Sequence, residues 1–158
     1  MVPKGRFIQP GIAAKIAFVM EADLVGVGVS RADVIGATVA VCPSLEVLDT
    51  RILRMGPALG KAGTIVDTIS DNTANAGVVL GSALHDPVKD LRRVGAILKR
   101  DGVVEETGLG VGVLDDPVSG IVGLMQRLAR YGQGLSKGDI VRSGSLIRPV
   151  EVPSGSRF

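Results

Sequence analysis

Pro43-Ser-Leu-Glu-Val-Leu-Asp-Thr-Arg51 is an apolar, strand-like stretch that carries a carboxylate, Glu46, near its middle. A buried charge is costly unless a cation or several hydrogen-bond donors meet it, so another group must face Glu46. A second stretch, Val66-Asp-Thr-Ile-Ser-Asp-Asn-Thr-Ala-Asn75, ends in short polar side chains that can bond their own backbone, which predicts a structured loop. Two polar groups of residues thus interrupt a very apolar chain.

Length and composition predict a single domain over residues 1–158. Hydrophobic residues make up 46% of the chain, enough for a chain of this length to bury a core. The 18 basic and 16 acidic residues are spread along the sequence and aromatic residues make up only 3%. Nucleic-acid-binding proteins usually combine a basic stripe with stacking aromatics, so we expect no nucleic-acid partner.

The single cysteine, Cys42, is predicted to be a small core residue rather than a nucleophile, because a lone thiol with one distant histidine is weak evidence for catalysis. The sequence contains no apolar run long enough to cross a bilayer, and its first residues lack the apolar core of a signal peptide. We therefore expect no membrane association and a cytoplasmic location.

Hydrophobic periodicity and turn residues predict a series of strands and short helices. The clearest helix is 117–131, where Asp116 can cap the first turn, Pro117 suits the first position and Gly132 suits the exit. The other predicted elements are strands at 12–20, 39–41, 45–48, 140–142 and, as a short buried strand, 78–80, helical turns at 30–38 and 65–69, a hairpin of 92–99 with 103–106, and a frayed tail at 153–158.

These elements predict an α+β fold: a mainly β, mixed sheet or roll packed by the helix near 117–131. The glycines of 108–114 suggest a dinucleotide loop, but the helix that such a loop needs does not follow them, so close backbone packing is the simpler explanation. An incomplete sheet exposes edges and apolar surface, so we expect a homo-oligomer or association with a related subunit.

Four motifs follow one another along the chain: P-S-L-E-V-L-D-T-R at 43–51, V-D-T-I-S-D-N-T-A-N-A-G-V-V-L-G at 66–81, G-L-G-V-G-V-L-D-D-P at 108–117, and L-A-R-Y-G-Q-G-L-S-K-G-D-I-V-R-S-G-S-L at 128–146. In this order they resemble the 2-keto-4-pentenoate hydratase and 4-oxalocrotonate decarboxylase family of the fumarylacetoacetate hydrolase superfamily. The resemblance runs from about Gln9 to about Val152 and implies the C-terminal part of that fold, with an N-terminal segment absent and the last strands cut short.

The resemblance also implies a metal site, and here the sequence departs from the family pattern. Members carry a Glu-x-Glu pair before Ile-Ala-Phe-Val, and these carboxylates hold Mg²⁺ or Mn²⁺ together with the glutamate that matches Glu46. The matching residues in this chain are Ala13 and Lys15. We therefore expect the Lys15 ammonium to neutralise Glu46 across neighbouring strands, within about 6 Å of its carboxylate.

Five further residues are site candidates by the same resemblance. Asp71 and Asn72, in the polar loop, are candidate catalytic residues, although both could simply satisfy the loop backbone. Arg51 is a candidate for binding a substrate carboxylate, or it forms a local surface pair with Asp49. Gly144 and Ser145 are candidate substrate contacts in what is otherwise an ordinary turn.

The resemblance implies a hydratase that adds water to a small dienoate or 2-oxo acid during meta-cleavage of aromatic compounds. Two alternatives stay open. One is decarboxylation of a 2-oxo acid of the 4-oxalocrotonate type, which the same scaffold supports. The other is a non-catalytic remnant or partner subunit, favoured by the replaced ligands at Ala13 and Lys15.

Overall fold

The structure, a computed structural model, describes residues 5–52 and 63–158. It contains three α-helices and seven strands within those ranges, joined by short 3₁₀ turns at 72–74, 91–93, 110–112 and 129–131. In chain order the elements are β1 Pro10–Met20, α1 Arg31–Gly36, β2 Thr38–Asp49, α2 Ile65–Ser70, β3 Asn75–Leu80, β4 Gly95–Arg100, β5 Val103–Leu109, α3 Pro117–Leu128, β6 Ile140–Arg142 and β7 Val150–Glu151.

The main sheet has the strand order β3-β2-β1-β6, and β7 pairs with β1 beyond the end of β6. The α+β, mainly β architecture expected from the sequence is confirmed. The described strand pairings are antiparallel, however, rather than mixed. A long central strand, β1, therefore contacts three other strands and organises the domain.

Strand β2 runs without a break through Pro43, where the sequence predicted two separate strands. The Pro43 carbonyl accepts a hydrogen bond of 2.8 Å from the backbone N–H of Gly81, which lies just past the end of β3. In an antiparallel pair the N–H and C=O of one residue point the same way, so the donor that proline lacks would face a position where β3 has already ended. Proline is tolerated there, and the strand continues.

The two faces of the main sheet differ in chemistry because side chains alternate along each strand. On one face of β1, Ile16, Phe18 and Met20 enter the buried core. Helix α3 covers that core with its apolar stripe, whose buried members are Val118, Ile121 and Met125. The opposite face of β1 carries Ala13, Lys15 and Ala17.

Helix α3 begins as the sequence predicts. The Asp116 carboxylate accepts a hydrogen bond of 3.0 Å from Val118 N, and Pro117 occupies the first turn. After Leu128 the helix tightens into the 3₁₀ turn 129–131, and Gly132 ends it in the left-handed conformation with φ 63°. The capping residues thus define the predicted range 117–131 at both ends.

Strands β4 and β5 form the predicted hairpin, closed by Asp101 and Gly102 with φ angles of 51° and 87°. Two positive φ values are typical of a type I′ turn. Gly108 and Gly110 lie at the end of this hairpin, where a Cβ would overlap the carbonyl oxygens of Leu146 and Leu91 respectively. Close backbone packing therefore explains these glycines.

Two further local predictions are wrong. Val78, Val79 and Leu80 are 47%, 53% and 42% exposed, because β3 is the edge strand of the sheet rather than a buried one. The tail is anchored rather than frayed: Asp101 N donates to the Arg157 carbonyl, Arg157 N donates to the Asp101 carboxylate, and Phe158 packs against the core. Within the described ranges, no helix has the length and apolar character needed to cross a membrane.

Candidate functional site

Glu46 lies opposite Ala13 in the antiparallel register of β1 and β2. Lys15 lies two residues further along β1 and on the same face, and its Nζ is 2.9 Å from Glu46 Oε2. The predicted neutralisation of Glu46 by Lys15 is therefore confirmed, since this distance is well inside the limit set from the sequence. The Glu46 carboxylate on β2 is thus paired with a cation on the neighbouring strand β1.

Arg142 is a second cation on Glu46, and sequence reasoning missed it. It is the last residue of β6, on the other side of β1, where it pairs with Ala17. Its Nη2 lies 3.2 Å from Glu46 Oε1, so the side chain reaches across β1 to β2. Ala13 and Ala17 are buried and small, which leaves room for this crossing. The signal that could have identified Arg142 from the sequence is its place in a predicted strand next to apolar Val141, since neighbouring side chains in a strand point to opposite faces.

We call Lys15, Ser44, Glu46 and Arg142 the Glu46 cluster. The side chains of Lys15, Glu46 and Arg142 are 14%, 12% and 15% exposed, and two cations against one carboxylate give the cluster a net charge of +1. Ser44 Oγ and Arg142 Nη1 are buried without a hydrogen-bond partner among the residues that the structure describes. A buried polar group in that state costs about 1–3 kcal/mol, so the cluster combines positive charge with unused donors.

Arg51 and Asp71 form a separate pair beyond the end of β2. Arg51 Nε lies 2.7 Å from Asp71 Oδ1, its backbone N–H donates to the same carboxylate, and Nη2 donates to the Asp71 carbonyl at 2.6 Å. These hydrogen bonds from Arg51 hold the pKa of Asp71 below its usual range. The alternative of a local Arg51–Asp49 pair is wrong, because Asp49 instead accepts the backbone N–H groups of Ile8 and Gln9.

The loop after Asp71 is structured, as predicted, but in an unusual way. Asn72, Thr73 and Ala74 have φ angles of 52°, 50° and 59°, so three residues other than glycine follow one another in the left-handed region. Such a run is strained, and strain of this kind clusters at functional sites. The Asn72 side chain is exposed, and the catalytic roles of Asp71 and Asn72 stay predictions.

Gly144 and Ser145 lie beside the strand that carries Lys15. The Ser145 hydroxyl lies 3.4 Å from the carbonyl of Ala14 and 2.6 Å from that of Ile147. A Cβ at Gly144 would come within 2.7 Å of a Val113 methyl group, so glycine is needed for packing there. Both residues thus have a structural role, and their predicted contact with substrate is untested.

A cleft of about 520 Å³ lies elsewhere on the surface, near the start of α3. Its charged groups are largely paired with one another, as in the Arg31–Asp116 contact of 2.7 Å and the Arg92–Asp90 contact of 2.8 Å. None of the site residues predicted from the sequence lines this cleft. We therefore take the Glu46 cluster and the Arg51–Asp71 pair as the candidate site.

Known proteins resemble this chain in sequence. It is 42% identical over 158 residues to 2-oxo-hept-4-ene-1,7-dioate hydratase from Escherichia coli, covering 99% of this chain and 59% of that protein. It is 34% identical over 162 residues to 2-keto-4-pentenoate hydratase 1 from Dechloromonas aromatica strain RCB, covering 100% of this chain and 58% of that protein. The chain thus spans somewhat more than half the length of these relatives. No protein-family model matches it.

Solved structures agree with the sequence relatives. The 4-oxalocrotonate decarboxylase from Pseudomonas putida G7, solved with calcium and acetate, superimposes with a TM-score of 0.82 at 30% identity, over 95% of this chain and 54% of that one. A fumarylacetoacetate hydrolase family protein from Yersinia pestis CO92 has a TM-score of 0.66 at 18% identity, over 98% of this chain and 68% of that one, and supports the fold alone.

The fold is therefore that of the fumarylacetoacetate hydrolase superfamily. Within it, the resemblance expected from the sequence is confirmed, since the curated relatives of this chain are 2-keto-4-pentenoate hydratases and 4-oxalocrotonate decarboxylases.

The divalent metal of the related structures, calcium or magnesium, can be tested against the residues present here. Such hard cations take six or more oxygen ligands. Of the three family ligand positions only Glu46 is a carboxylate, and its two oxygens already contact Lys15 and Arg142. No group of three or more His, Cys, Asp or Glu in the described part of the chain is placed to hold a metal. This donor set does not fit a divalent cation.

Proposed function

We propose that this chain forms part of a hydratase-type lyase that acts on a small 2-oxo acid or its 2-hydroxy-dienoate tautomer. The observation that carries the proposal is the 42% identity with a 2-oxo-dioate hydratase, which extends over 99% of this chain. The same resemblance supports a place in the catabolism of aromatic compounds. The cytoplasmic location expected from the sequence stays a prediction.

The chemistry sets a requirement that the site must meet. The dienol first becomes the 2-oxo tautomer, which conjugates the remaining carbon–carbon double bond with the carbonyl. Water then adds its oxygen to the distal carbon of that bond and a proton to the nearer one. Negative charge develops on the 2-oxo oxygen in the transition state, so positive charge or hydrogen-bond donors must face it.

Asp71 fits one role in this reaction and not another. Because Arg51 holds its pKa below the usual range, its carboxylate is ionised at neutral pH. An ionised carboxylate can accept a proton from water or orient it, but it cannot donate one. We therefore propose Asp71 as an acceptor or orienting residue, with Asn72 beside it in the strained loop.

Two other functions have an observation in their favour. The structural match to 4-oxalocrotonate decarboxylase, with a TM-score of 0.82, favours decarboxylation of a 2-oxo acid on the same scaffold. The contacts of Lys15 and Arg142 with Glu46 favour a partner subunit without chemistry of its own, because they occupy the carboxylate that a metal would need.

The test is turnover by the purified chain. We expect 2-hydroxypenta-2,4-dienoate to be converted to 4-hydroxy-2-oxopentanoate, seen by loss of dienol absorbance and by NMR of the product, with and without added Mg²⁺ or Mn²⁺. Release of carbon dioxide from 4-oxalocrotonate in a parallel assay would assign the decarboxylase instead. Turnover only in the presence of a full-length relative would support the partner subunit.

We further propose that copies of the chain associate with one another or with a related subunit. Val78 and Val79 on the edge strand β3 are about half exposed, and an open apolar edge favours pairing with another chain. Light scattering is expected to show a dimer or larger species. A strictly monomeric species across the accessible concentration range would contradict this expectation.

A further inference from the structure

We propose that the Glu46 cluster is an anion site that binds the carboxylate and 2-oxo oxygen of a small 2-oxo acid directly, without a divalent cation. The substrate class rests on the proposed function, whereas the anion site rests on the cluster itself.

Charge is the first argument. Lys15 and Arg142 together carry two positive charges against the single carboxylate of Glu46, and all three side chains are at least 85% buried. A net charge of +1 at a poorly solvated place attracts an anion strongly. A monoanionic carboxylate would bring the cluster to neutrality, whereas a phosphate dianion would leave it negative.

Unused donors are the second argument. Ser44 Oγ and Arg142 Nη1 are buried, and neither has an acceptor within residues 5–52 and 63–158. The Lys15 ammonium has three N–H groups, and its described ion pair is with one oxygen of Glu46. A 2-oxo carboxylate presents three acceptor oxygens, two on the carboxylate and one on the ketone, to these three donor groups.

Placement is the third argument. Lys15 and Ser44 are directly paired across β1 and β2, which puts their Cβ atoms about 4.5–5.5 Å apart on one face. Arg142 reaches over the same face from β6, above the small side chains of Ala13 and Ala17. A small solute would reach the cluster through the 12–15% of each charged side chain that stays exposed, and neighbouring atoms must move for it to contact the buried Ser44 Oγ and Arg142 Nη1.

The inference also meets the chemical requirement of the proposed reaction. A 2-oxo oxygen held by Lys15 or Arg142 would face a cation as negative charge develops on it, which is the stabilisation that the addition of water needs. The two cations of this chain thereby supply positive charge where the donor set does not fit a metal. Glu46 is the counter-charge that contacts both cations in the unliganded chain and competes with a bound anion for them.

The test is calorimetric titration of the purified chain with pyruvate in the presence of EDTA. We expect the parent to bind, Arg142→Leu to weaken binding at least tenfold, or about 1.4 kcal/mol, and Glu46→Gln to bind at least as tightly as the parent because the net charge of the cluster rises to +2. Arg93→Leu, which removes an exposed arginine from another part of the fold, is the matched control and should leave the affinity unchanged.

The opposite pattern would overturn the inference. If pyruvate binds only with added Mg²⁺, or if Glu46→Gln abolishes binding while Arg142→Leu does not, a metal mediates the contact. Tighter binding of inorganic phosphate than of pyruvate would also count against a 2-oxo acid site. Circular dichroism confirms that each variant is folded, and Arg142→Lys, which keeps the charge, should retain more affinity than Arg142→Leu.

The outcome is separable from that of the proposed function. A chain that binds pyruvate in EDTA but converts no dienoate has the anion site without the lyase activity. A chain that converts dienoate but binds pyruvate only with a metal has the activity without the metal-free site.

Discussion

The Glu46 cluster and the Arg51–Asp71 pair are both ion pairs that involve the β2 segment, yet they differ in what they leave unsatisfied. In the cluster, one carboxylate meets two cations, and two polar atoms lack a partner in the described part of the chain. In the Arg51–Asp71 pair, one cation meets one anion, and three groups of Arg51 donate to Asp71. The cluster can therefore bind a further anion, whereas the pair is already satisfied.

The difference follows from where each group sits. Glu46 is on β2, next to β1, and β6 lies just beyond β1 on the same side, so cations reach it from both of those strands. Arg51 lies past the end of β2 and has 40% of its side chain exposed. The family resemblance makes both regions site candidates. Only the geometry of the strands shows that the Arg51–Asp71 pair stabilises a loop, whereas the Glu46 cluster retains donors that can bind an anion.

The experiment with the largest expected effect rebuilds the metal site that the family resemblance implies. The triple variant Ala13→Glu, Lys15→Glu and Arg142→Leu puts three carboxylates on β1 and β2 and removes both cations. We expect the variant to bind Mg²⁺ or Mn²⁺ with a micromolar constant by calorimetry, about −8 kcal/mol, and the parent to bind neither. Arg142 must be replaced as well, since otherwise it stays on Glu46.

The control for that experiment keeps side-chain size and removes charge. Ala13→Gln, Lys15→Gln and Arg142→Leu together should bind no metal, because an amide oxygen carries too little charge to hold a hard dication alone. Micromolar metal binding by the parent chain would contradict the comparison, since it would mean that other oxygens complete a site around Glu46.

The second experiment compares the stability of the two ion pairs. Glu46→Gln leaves the mostly buried Lys15 and Arg142 facing each other without a counter-charge, and we expect a loss of about 3 kcal/mol in the free energy of unfolding. Asp71→Asn leaves Arg51 partly exposed to water, so its loss should be clearly smaller. Urea denaturation measures both.

A double variant serves as the check on that result. Adding Lys15→Met to Glu46→Gln removes one of the two unpaired cations and should recover part of the lost stability. If Glu46→Gln and Asp71→Asn lower the free energy of unfolding equally, an unpaired charge in the Glu46 cluster costs no more than one in the Arg51–Asp71 pair, which would contradict the expected difference.

Much of the fold could be predicted from the sequence because its signals are local. Asp116, Pro117 and Gly132 mark the ends of α3, and Asp101-Gly102 marks the hairpin turn. The predictions that failed depend on contacts between residues that are far apart in the sequence. The sequence cannot show that β3 is an edge strand, nor that Pro43 faces a place where its partner has ended.

The candidate site divides in the same way. The contact of Lys15 with Glu46 could be predicted because an uncompensated carboxylate in an apolar strand demands a cation, and the family pattern pointed to Lys15. Arg142 could not, because the pairing of β6 with β1 is set by the whole sheet. The pairing of Arg51 with Asp71 likewise joins residues 20 positions apart, and the only partner within the chain that the sequence suggested for Arg51 was nearby Asp49.

The third experiment sharpens the contrast through pH. The folded pKa of Asp71 is lowered, chiefly by hydrogen bonds from Arg51, so its pairing adds stability that is fully present above the unfolded pKa of about 3.9 and is lost as pH falls through the folded value. The difference in unfolding free energy between the parent and Asp71→Asn should therefore be constant above about pH 5 and shrink below about pH 4. Denaturation series from about pH 3 to about pH 7 measure it, and a difference that grows on acidification would contradict the assigned pairing.

The smallest expected effect concerns the loop that holds Asp71. Thr73 is β-branched and has φ 50°, a conformation that costs about 1–2 kcal/mol for residues other than glycine. Thr73→Gly relieves that cost but gives the unfolded chain more freedom, worth about 0.5–1 kcal/mol, so we expect a net gain of about 0.5 kcal/mol in stability. Asn72→Gly should gain less, because asparagine tolerates the left-handed region. If Thr73→Gly instead destabilises the chain while pyruvate binding at the Glu46 cluster is unchanged, the loop conformation is held by contacts that outweigh its strain, and the two regions are energetically independent.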